Sequence, residues 1–398
     1  MMTFCCQLPS RLWFFIKTRK LVRTIILILF LFFYCEFLHY YIVLLSCTWP
    51  TLQFATMDAT QPEGSEAPIK AMFIADTHIL GSKEGHWFDK LRREWQMERS
   101  FQASMFVHNP DVVFILGDLL DEGKWCSDSE FSYHVQRFQR MFRTPLNTKT
   151  HVVVGNHDIG FHYMMSEKTH DRFKKAFDAP PVRILQIKEN IFVMLNSMAM
   201  EGDECSLCSE ALNTLTDIKW QLKCAKGRAE KKQVADVCDN METFRYSRPI
   251  LIQHFPMYRA SDSNCSTADA APLDEKEHPF REKWDCLSQA ATDQLFEWIN
   301  PRLVISAHTH HGCFRVHNDG TPEWTVASFS WRNKKNPTFL MGVISSNNLA
   351  ISQCYLPHEY TVISIYVTGV FLIIISLLIP AKYSNKSNKG MVLINKSN

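Results

Sequence analysis

Five short segments of this chain carry side chains of the kind that hold divalent metals. They are Asp76-Thr77-His78, Gly117-Asp118, Gly155-Asn156-His157-Asp158, His254 and His308-Thr309-His310. Carboxylate, amide and imidazole donors without cysteine suit manganese, iron or zinc in a reactive site rather than a thiolate-rich structural one. A single Asp placed between two ions can bridge them through its two oxygens. Two ions about 3.5–4 Å apart supply a hydroxide and clamp the attacking and leaving oxygens of a phosphoester. Asp-x-His and His-x-His in extended backbone would each present both side chains on one face. Gly117 and Gly155 would allow tight turns that bring backbone close to a phosphate. His311 adjoins the last pair, would point the other way, and is left out of the candidate set.

Alone, each of these pairs is commonplace in structural settings. Their weight comes from position. Apolar runs at 69–75, 112–116, 151–154, 191–195, 249–252 and 303–306 read as buried strands. Five of the six end at a candidate ligand. Helical patterns fill 87–108, 128–143, 166–178 and 287–299. This alternation predicts an α/β domain with sheet buried between helices. Sites in such sheets lie at the carboxyl ends of the strands. The stretch 323–355 has strand character without helices and predicts a second, more antiparallel sheet region. Residues 199–247 break the alternation and read as a charged, cysteine-containing surface insertion.

Those five segments, in that order, resemble the calcineurin-like metallophosphoesterase superfamily over residues 69–357. The resemblance implies a double β-sandwich flanked by helices. It implies one metal held by Asp76, His78, Asp118 and His310, and a second held by Asp118, Asn156, His254 and His308. It also implies that His157 donates a proton to the leaving alkoxide, oriented by a partner such as Asp158. Ala307 stands where the family usually has Gly before the last His-x-His. Asp121-Glu122-Gly123 stands where the phosphoprotein phosphatases have Asp-Arg-Gly, which argues against action on phosphoproteins. The segments 117–123 and Ser328-Phe329-Ser330-Trp331-Arg332-Asn333, between two apolar ends, are similar to a membrane-held, GPI-remodelling branch of the superfamily. That likeness implies a phosphodiesterase that removes a side-branch ethanolamine-phosphate from the GPI glycan, with manganese as cofactor. It further implies GPI-anchored proteins as substrate, cargo receptors as partners, and residence at ER exit sites, the ER–Golgi intermediate and the cis-Golgi. A lumenal esterase for a nucleotide or phospholipid, or a silent scaffold on the same fold, are the competing readings.

The ends differ in character from the middle. Residues 21–45 and 360–379 are apolar and long enough to cross a bilayer, which needs about 20 residues. Glu36 and His39 lie inside the first run, where lipid makes them costly. Basic residues flank both outer ends: Arg11, Lys17, Arg19, Lys20 and Arg23 on one side, Lys382, Lys386, Lys389 and Lys396 on the other. The excess of positive charge predicts cytosolic tails at 1–20 and 380–398 and a lumenal middle. A polar linker at 46–68 would be a slack tether, and the chain from 357 to 360 a short one. Asn264-Cys265-Ser266 is a glycosylation acceptor of the kind used in that compartment. Cysteines at 126, 205, 208, 224, 238, 265, 286, 313 and 354 predict disulfides there, with Cys47 available to the odd one; a zinc site built from Cys205, Cys208, Cys224 and Cys238 is the alternative. With 43 basic against 41 acidic residues the chain carries no charge excess of the kind that binds nucleic acid, and its 46% hydrophobic content excludes intrinsic disorder.

Overall fold

A computed structural model describes residues 10–53, 67–201, 206–233, 235–241 and 243–378. Cys205, most of the expected linker, the first nine residues of the expected N-terminal tail, the last residue of the second apolar run and the whole C-terminal tail lie outside them. The chain forms two compact units, residues 36–361 and the two ends 1–35 with 362–398.

The larger unit holds two mixed sheets. The first has the order β11-β10-β1-β2-β3. Its parallel centre is β1 (Ile69–Ile74), β2 (Val112–Leu116) and β3 (Lys149–Val153). The second has the order β4-β5-β6-β7-β9-β8. It comprises β4 (Val182–Ile187), β5 (Asn190–Leu195), β6 (Ile250–Gln253), β7 (Leu303–Ser306), β8 (Cys313–Val316) and β9 (Pro322–Thr325). The two sheets share one core, in which Phe114 stacks on Phe73 at 5.3 Å and meets Phe192 at 5.0 Å. Fully burying rings and branched side chains of this size contributes roughly 1.5–3 kcal/mol each.

The stretch 323–355 does not form a separate antiparallel sheet as its sequence predicts. Its first strand, β9, runs parallel to β7 in the second sheet. Its last two join the first sheet, β10 (Thr338–Ile344) antiparallel to β1 and β11 (Leu349–Tyr355) antiparallel to β10. Strand pairing is chosen by tertiary register, which a local pattern does not carry.

Ten α-helices lie among the described residues. In chain order they are α1 (Ser10–Phe33), α2 (His39–Leu44), α3 (Trp87–His108), α4 (Asp128–Met141), α5 (Asn156–Ile159), α6 (Glu167–Phe177), α7 (Ser206–Ala229), α8 (Leu273–Lys276), α9 (Gln289–Ile299) and α10 (Glu359–Leu378). Ser127, Ser166 and Ser288 start α4, α6 and α9 by accepting a hydrogen bond from a first-turn backbone N–H. Asn109, Asp178 and Asn300 end α3, α6 and α9 in the left-handed conformation. The expected insertion at 199–247 is only partly surface. Within it α7 buries Cys208, Ala211, Leu215, Ile218, Leu222 and Ala225, a helical stripe that packs against the domain.

The first apolar run is not one uninterrupted lipid-facing helix. A single π-helical turn (Tyr34–Leu38) separates α1 from α2, and residues from Glu36 onward belong to the globular unit. There Phe37 meets Trp95 edge-on at 5.6 Å, Tyr41 meets Phe106 at 5.9 Å, and His39, Tyr40 and Leu44 are buried. Protein surroundings thus account for Glu36 and His39. The following segment is not slack either: Cys47 is disulfide-bonded to Cys354 in β11, and Trp49 Nε1 donates to the His108 carbonyl at 3.1 Å.

Further disulfides join Cys224 to Cys238 and Cys265 to Cys313, and Cys208 is also disulfide-bonded. That pairing excludes the four-cysteine zinc site, because the thiolates it needs are oxidised. Cys126 and Cys286 are buried free thiols. In the smaller unit α1 and α10 pack together, with Leu31 against Gly369 and Arg23 Nη2 donating to the Ser376 carbonyl at 2.9 Å.

Candidate metal centre

The strand ends deliver the expected side chains to one place. Asp76 follows β1 by two residues, Asp118 follows β2 by two, Asn156 opens α5 just after β3, His254 follows β6 directly, and His308 and His310 follow β7. Ligand atoms of Asp76, His78, Asp118 and His310 lie within 4.8 Å of one another, as do those of Asp118, His254 and His308. Asp118 is common to both groups. Asn156 joins the second, its Oδ1 3.1 Å from His254 Nε2.

Alternation along extended strands is not what aligns Asp76 with His78 or His308 with His310. Asp76, His78, Asp118, His308 and His310 all have positive φ, between 43° and 75°. Such backbone is costly for residues with a Cβ and persists only where the surroundings over-determine it. The strands have ended, and tight left-handed turns fold the ligands back onto the sheet edge. Gly117 and Gly155 serve this packing rather than a phosphate approach. A Cβ on Gly155 would stand 2.2 Å from Asp118 Oδ1, and one on Gly117 2.6 Å from His254 Nδ1.

Outer hydrogen bonds orient three of the imidazoles. His254 Nδ1 donates to the Leu116 carbonyl at 2.6 Å, His308 Nε2 donates to the Trp284 carbonyl at 2.7 Å, and His78 Nδ1 lies 3.0 Å from Asp121 Oδ1. In each the other ring nitrogen faces the cluster, where His78 Nε2 and His310 Nε2 stand 3.1 Å apart and His308 Nδ1 and His254 Nε2 3.3 Å apart. Metal-binding histidines are held in this manner, with the far N–H fixed on a carbonyl or carboxylate.

The Asp76 carboxylate is completely buried and neither oxygen makes a hydrogen bond. An unpaired buried carboxylate is strongly disfavoured unless a cation neutralises it. Burial, together with the Asp118 charge, pushes its carboxyl up to about 7. Burial also tends to raise Asp118, but the facing imidazoles of His254 and His157 outweigh it and hold that carboxyl well below its usual range. Burial and the neighbouring His254 depress His308 to about 3, and burial with His78 lowers His310 strongly. Both therefore offer neutral nitrogens. The residues fit two divalent cations.

His157 lies at the rim, its side chain about one-third exposed. Its backbone N–H donates to Asp118 Oδ1 at 2.7 Å, and its Nδ1 donates to the Asp121 carbonyl at 3.1 Å. Asp158 is not its partner. The Asp158 carboxylate instead accepts from the backbone N–H of Gly155 and of Leu120, both at 2.9 Å, and so braces the loop that carries Asn156. The helical turn of α5 points it back at its own N-terminus, away from the His157 ring.

Sequence reading missed four residues that surround the site. Asp121 reaches His78 with one oxygen and Arg332 with the other, at 3.0 Å each. Glu122 accepts from the backbone N–H of Lys83 and Glu84, at 3.0 and 2.8 Å. Trp284 supplies the carbonyl that fixes His308. Asp121 stands three residues beyond Asp118 in one motif, so its neighbourhood was legible. Arg332 and Trp284 are brought in by folding alone. A cleft of about 420 Å³ opens onto His308 and His310, walled by Glu275, Phe280 and Asp285, which is ample for a substrate group.

Comparison with known proteins shows the family. Residues 69–312 match the family described as calcineurin-like phosphoesterase. The chain belongs to that family. It is 45% identical to metallophosphoesterase 1 of Ailuropoda melanoleuca, over 94% of this chain and 91% of that protein. It is 48% identical to metallophosphoesterase 1 of Mus musculus, over 89% and 88%. Among solved structures, a dimetal phosphatase from Danio rerio is 12% identical, covers 73% of this chain and 97% of its own, and superposes with a TM-score of 0.42. Calcineurin-like phosphoesterases use a dinuclear metal centre, and this member is a metal-dependent phosphoric ester hydrolase.

When bound, two divalent ions would supply the nucleophile and the charge that stabilises the phosphoryl group in flight. Asp76, His78, Asp118 and His310 would hold one, and Asp118, Asn156, His254 and His308 the other. The protein's own groups do the rest. The Asp121 carbonyl holds Nδ1 of the His157 ring, and Nε2 is the nitrogen that would face a leaving oxygen. Burial keeps the His157 pKa below its usual value, so the ring would be a strong proton donor only once protonated on both nitrogens.

Proposed function

We propose that this chain is a membrane-anchored, lumenal manganese phosphodiesterase that removes a side-branch ethanolamine-phosphate from the GPI glycan. Its setting would be the early secretory pathway, where that removal supports export of GPI-anchored proteins with their cargo receptors. The observation that carries the esterase half is the pair of ligand groups sharing Asp118, with His157 beside them. The glycolipid half rests on likeness to proteins named metallophosphoesterase 1 and on the membrane setting.

Several features support that setting. Two helices are long and apolar enough to span a bilayer, and the flanking charge is basic at both outer ends. Disulfides at Cys47–Cys354, Cys224–Cys238 and Cys265–Cys313 suit an oxidising compartment. Asn264 is exposed, as a glycosylated residue must be. Trp284, whose carbonyl holds His308, and its ring neighbour Tyr163 present partly exposed, amphipathic surface of the kind that suits a sugar.

Incubation of the purified full chain, reconstituted with manganese, with a GPI-anchored reporter tests the reading. Loss of one ethanolamine-phosphate mass from the glycan is expected. Hydrolysis of a generic phosphodiester with an unchanged GPI glycan would overturn the substrate while leaving the esterase intact.

A further inference from the structure

The globular unit carries a patch of exposed apolar side chains at the start of α3. Trp87 is 67% exposed, Phe88 55% and Leu91 57%. Trp87 and Phe88 pack edge-on at 5.7 Å. Leaving three such groups in water forgoes the gain from burying them, and a clustered apolar patch of this kind marks an interaction surface.

Contacts along α3 place this patch relative to the two ends of the globular unit. Residues leading in from the first apolar run descend along this helix. Phe37 meets Trp95, Tyr41 meets Phe106, and Trp49 bonds to the carbonyl of His108. Entry is therefore near the middle of α3 and travel is towards its C-terminus. The last residues of the globular unit meet the same helix. Arg92 pairs with Glu359 at 3.5 Å and covers the ring of Trp331, whose Nε1 donates to the Pro357 carbonyl at 2.8 Å. Lys335 lies over Tyr360. Within the globular unit, Phe37 near its first residue and Glu359 near its last thus both lie against α3, at Trp95 and Arg92. Continuing one further turn in the same direction reaches Leu91, Phe88 and Trp87.

We propose that Trp87, Phe88 and Leu91 form a wedge that seats in the interfacial layer of the lipid bilayer. The proposal rests on the reading that the two apolar helices span a membrane. Aromatic rings favour the headgroup level, where an apolar face sinks about 5–10 Å. The wedge is also joined stiffly to the catalytic edge. Only residues 79–86 separate it from His78. That segment is clamped by Glu122 on the N–H groups of Lys83 and Glu84, and by Arg332 on the Glu84 carboxylate at 3.1 Å. Seating the wedge would hold the metal centre at a set height above the leaflet and present it to lipid-held phosphodiesters.

The test uses the full chain in nanodiscs, with an environment-sensitive fluorescent amino acid at one position at a time and lipids spin-labelled just beneath the headgroups. Position 88 reads the wedge, and position 91 repeats it in case one substitution disturbs folding. Position 106 is the control, since Phe106 is 79% exposed on the same helix, about 27 Å further along it. Position 371, within α10, reads bilayer insertion. Quenching several-fold stronger at 88 and 91 than at 106 is expected. Quenching at 88 and 91 no stronger than at 106, with 371 strongly quenched, overturns the wedge and leaves the spanning helices standing. No quenching at 371 overturns the spanning reading and the wedge with it.

Discussion

Arg332 places its Nη2 3.0 Å from Oδ2 of Asp121, whose other oxygen is 3.0 Å from Nδ1 of the metal-facing His78. The arginine arrives from a segment bound back onto the strand end that carries Asp76: Ser328 Oγ donates to the Asp76 carbonyl at 2.7 Å, and Phe329 N–H to the Ala75 carbonyl at 3.0 Å. A guanidinium thus steadies a buried carboxylate that in turn steers an imidazole. Arg332→Ala is expected to lower activity by about 10- to 100-fold, the usual cost of losing a group that orients a ligand. Arg332→Lys should recover part of it. Metal titration alongside steady-state kinetics checks this; unchanged values for both variants would show that the chain of contacts is idle.

Asp118→Asn retains size and removes the charge common to both ligand groups. Metal content is expected to fall from two per chain towards one or none, with activity nearly abolished. Elemental analysis of the purified variant reads the first, and phosphodiester hydrolysis the second. Two tightly held metals in the variant would contradict the shared role of Asp118.

His157→Ala should reduce turnover by about 10²- to 10⁴-fold, as loss of a general acid does, while leaving metal content near normal. The loss should shrink on a nitrophenyl ester, whose leaving group departs without a proton. Comparing the two substrates at saturating metal is the measurement. Equal losses on both would make His157 a structural residue.

Metal binding to the apo protein should release protons. Burial disfavours a charged His254, but the Asp118 carboxylate outweighs it and raises the imidazole to about 9. Below that pH the ring is protonated in the apo protein and must lose its proton to bind, so affinity should rise as pH increases towards 9. Asp76, raised to about 7, adds a second proton below neutrality. His308 and His310 are already neutral and contribute none. Calorimetry in buffers of different ionisation enthalpy counts the protons; a count of zero at pH 6 would refute the raised His254.

Much of this molecule is written locally. The six apolar runs became strands at nearly the expected positions, because a buried parallel strand needs little more than a short β-branched stretch bounded by turn residues. The candidate ligands were legible for the same reason: each lies within a few residues of its strand's end, so an order of motifs along the chain becomes a cluster of side chains at the carboxyl ends of strands from both sheets. Folding alone decided the rest. Whether Asp158 or Asp121 faces His157 depends on the direction of one helical turn. The left-handed turns at Asp76, His78, Asp118, His308 and His310 exist because their surroundings enforce them, and no residue preference announces them. Arg332 and the Trp284 carbonyl come from positions far along the chain, as does the pairing of β10 with β1. So does the seat of Phe37, Tyr40 and Tyr41, apolar residues that composition assigns to lipid and that contacts with α3 assign to protein. Periodicity records whether a side chain is buried; only the assembled fold determines against what.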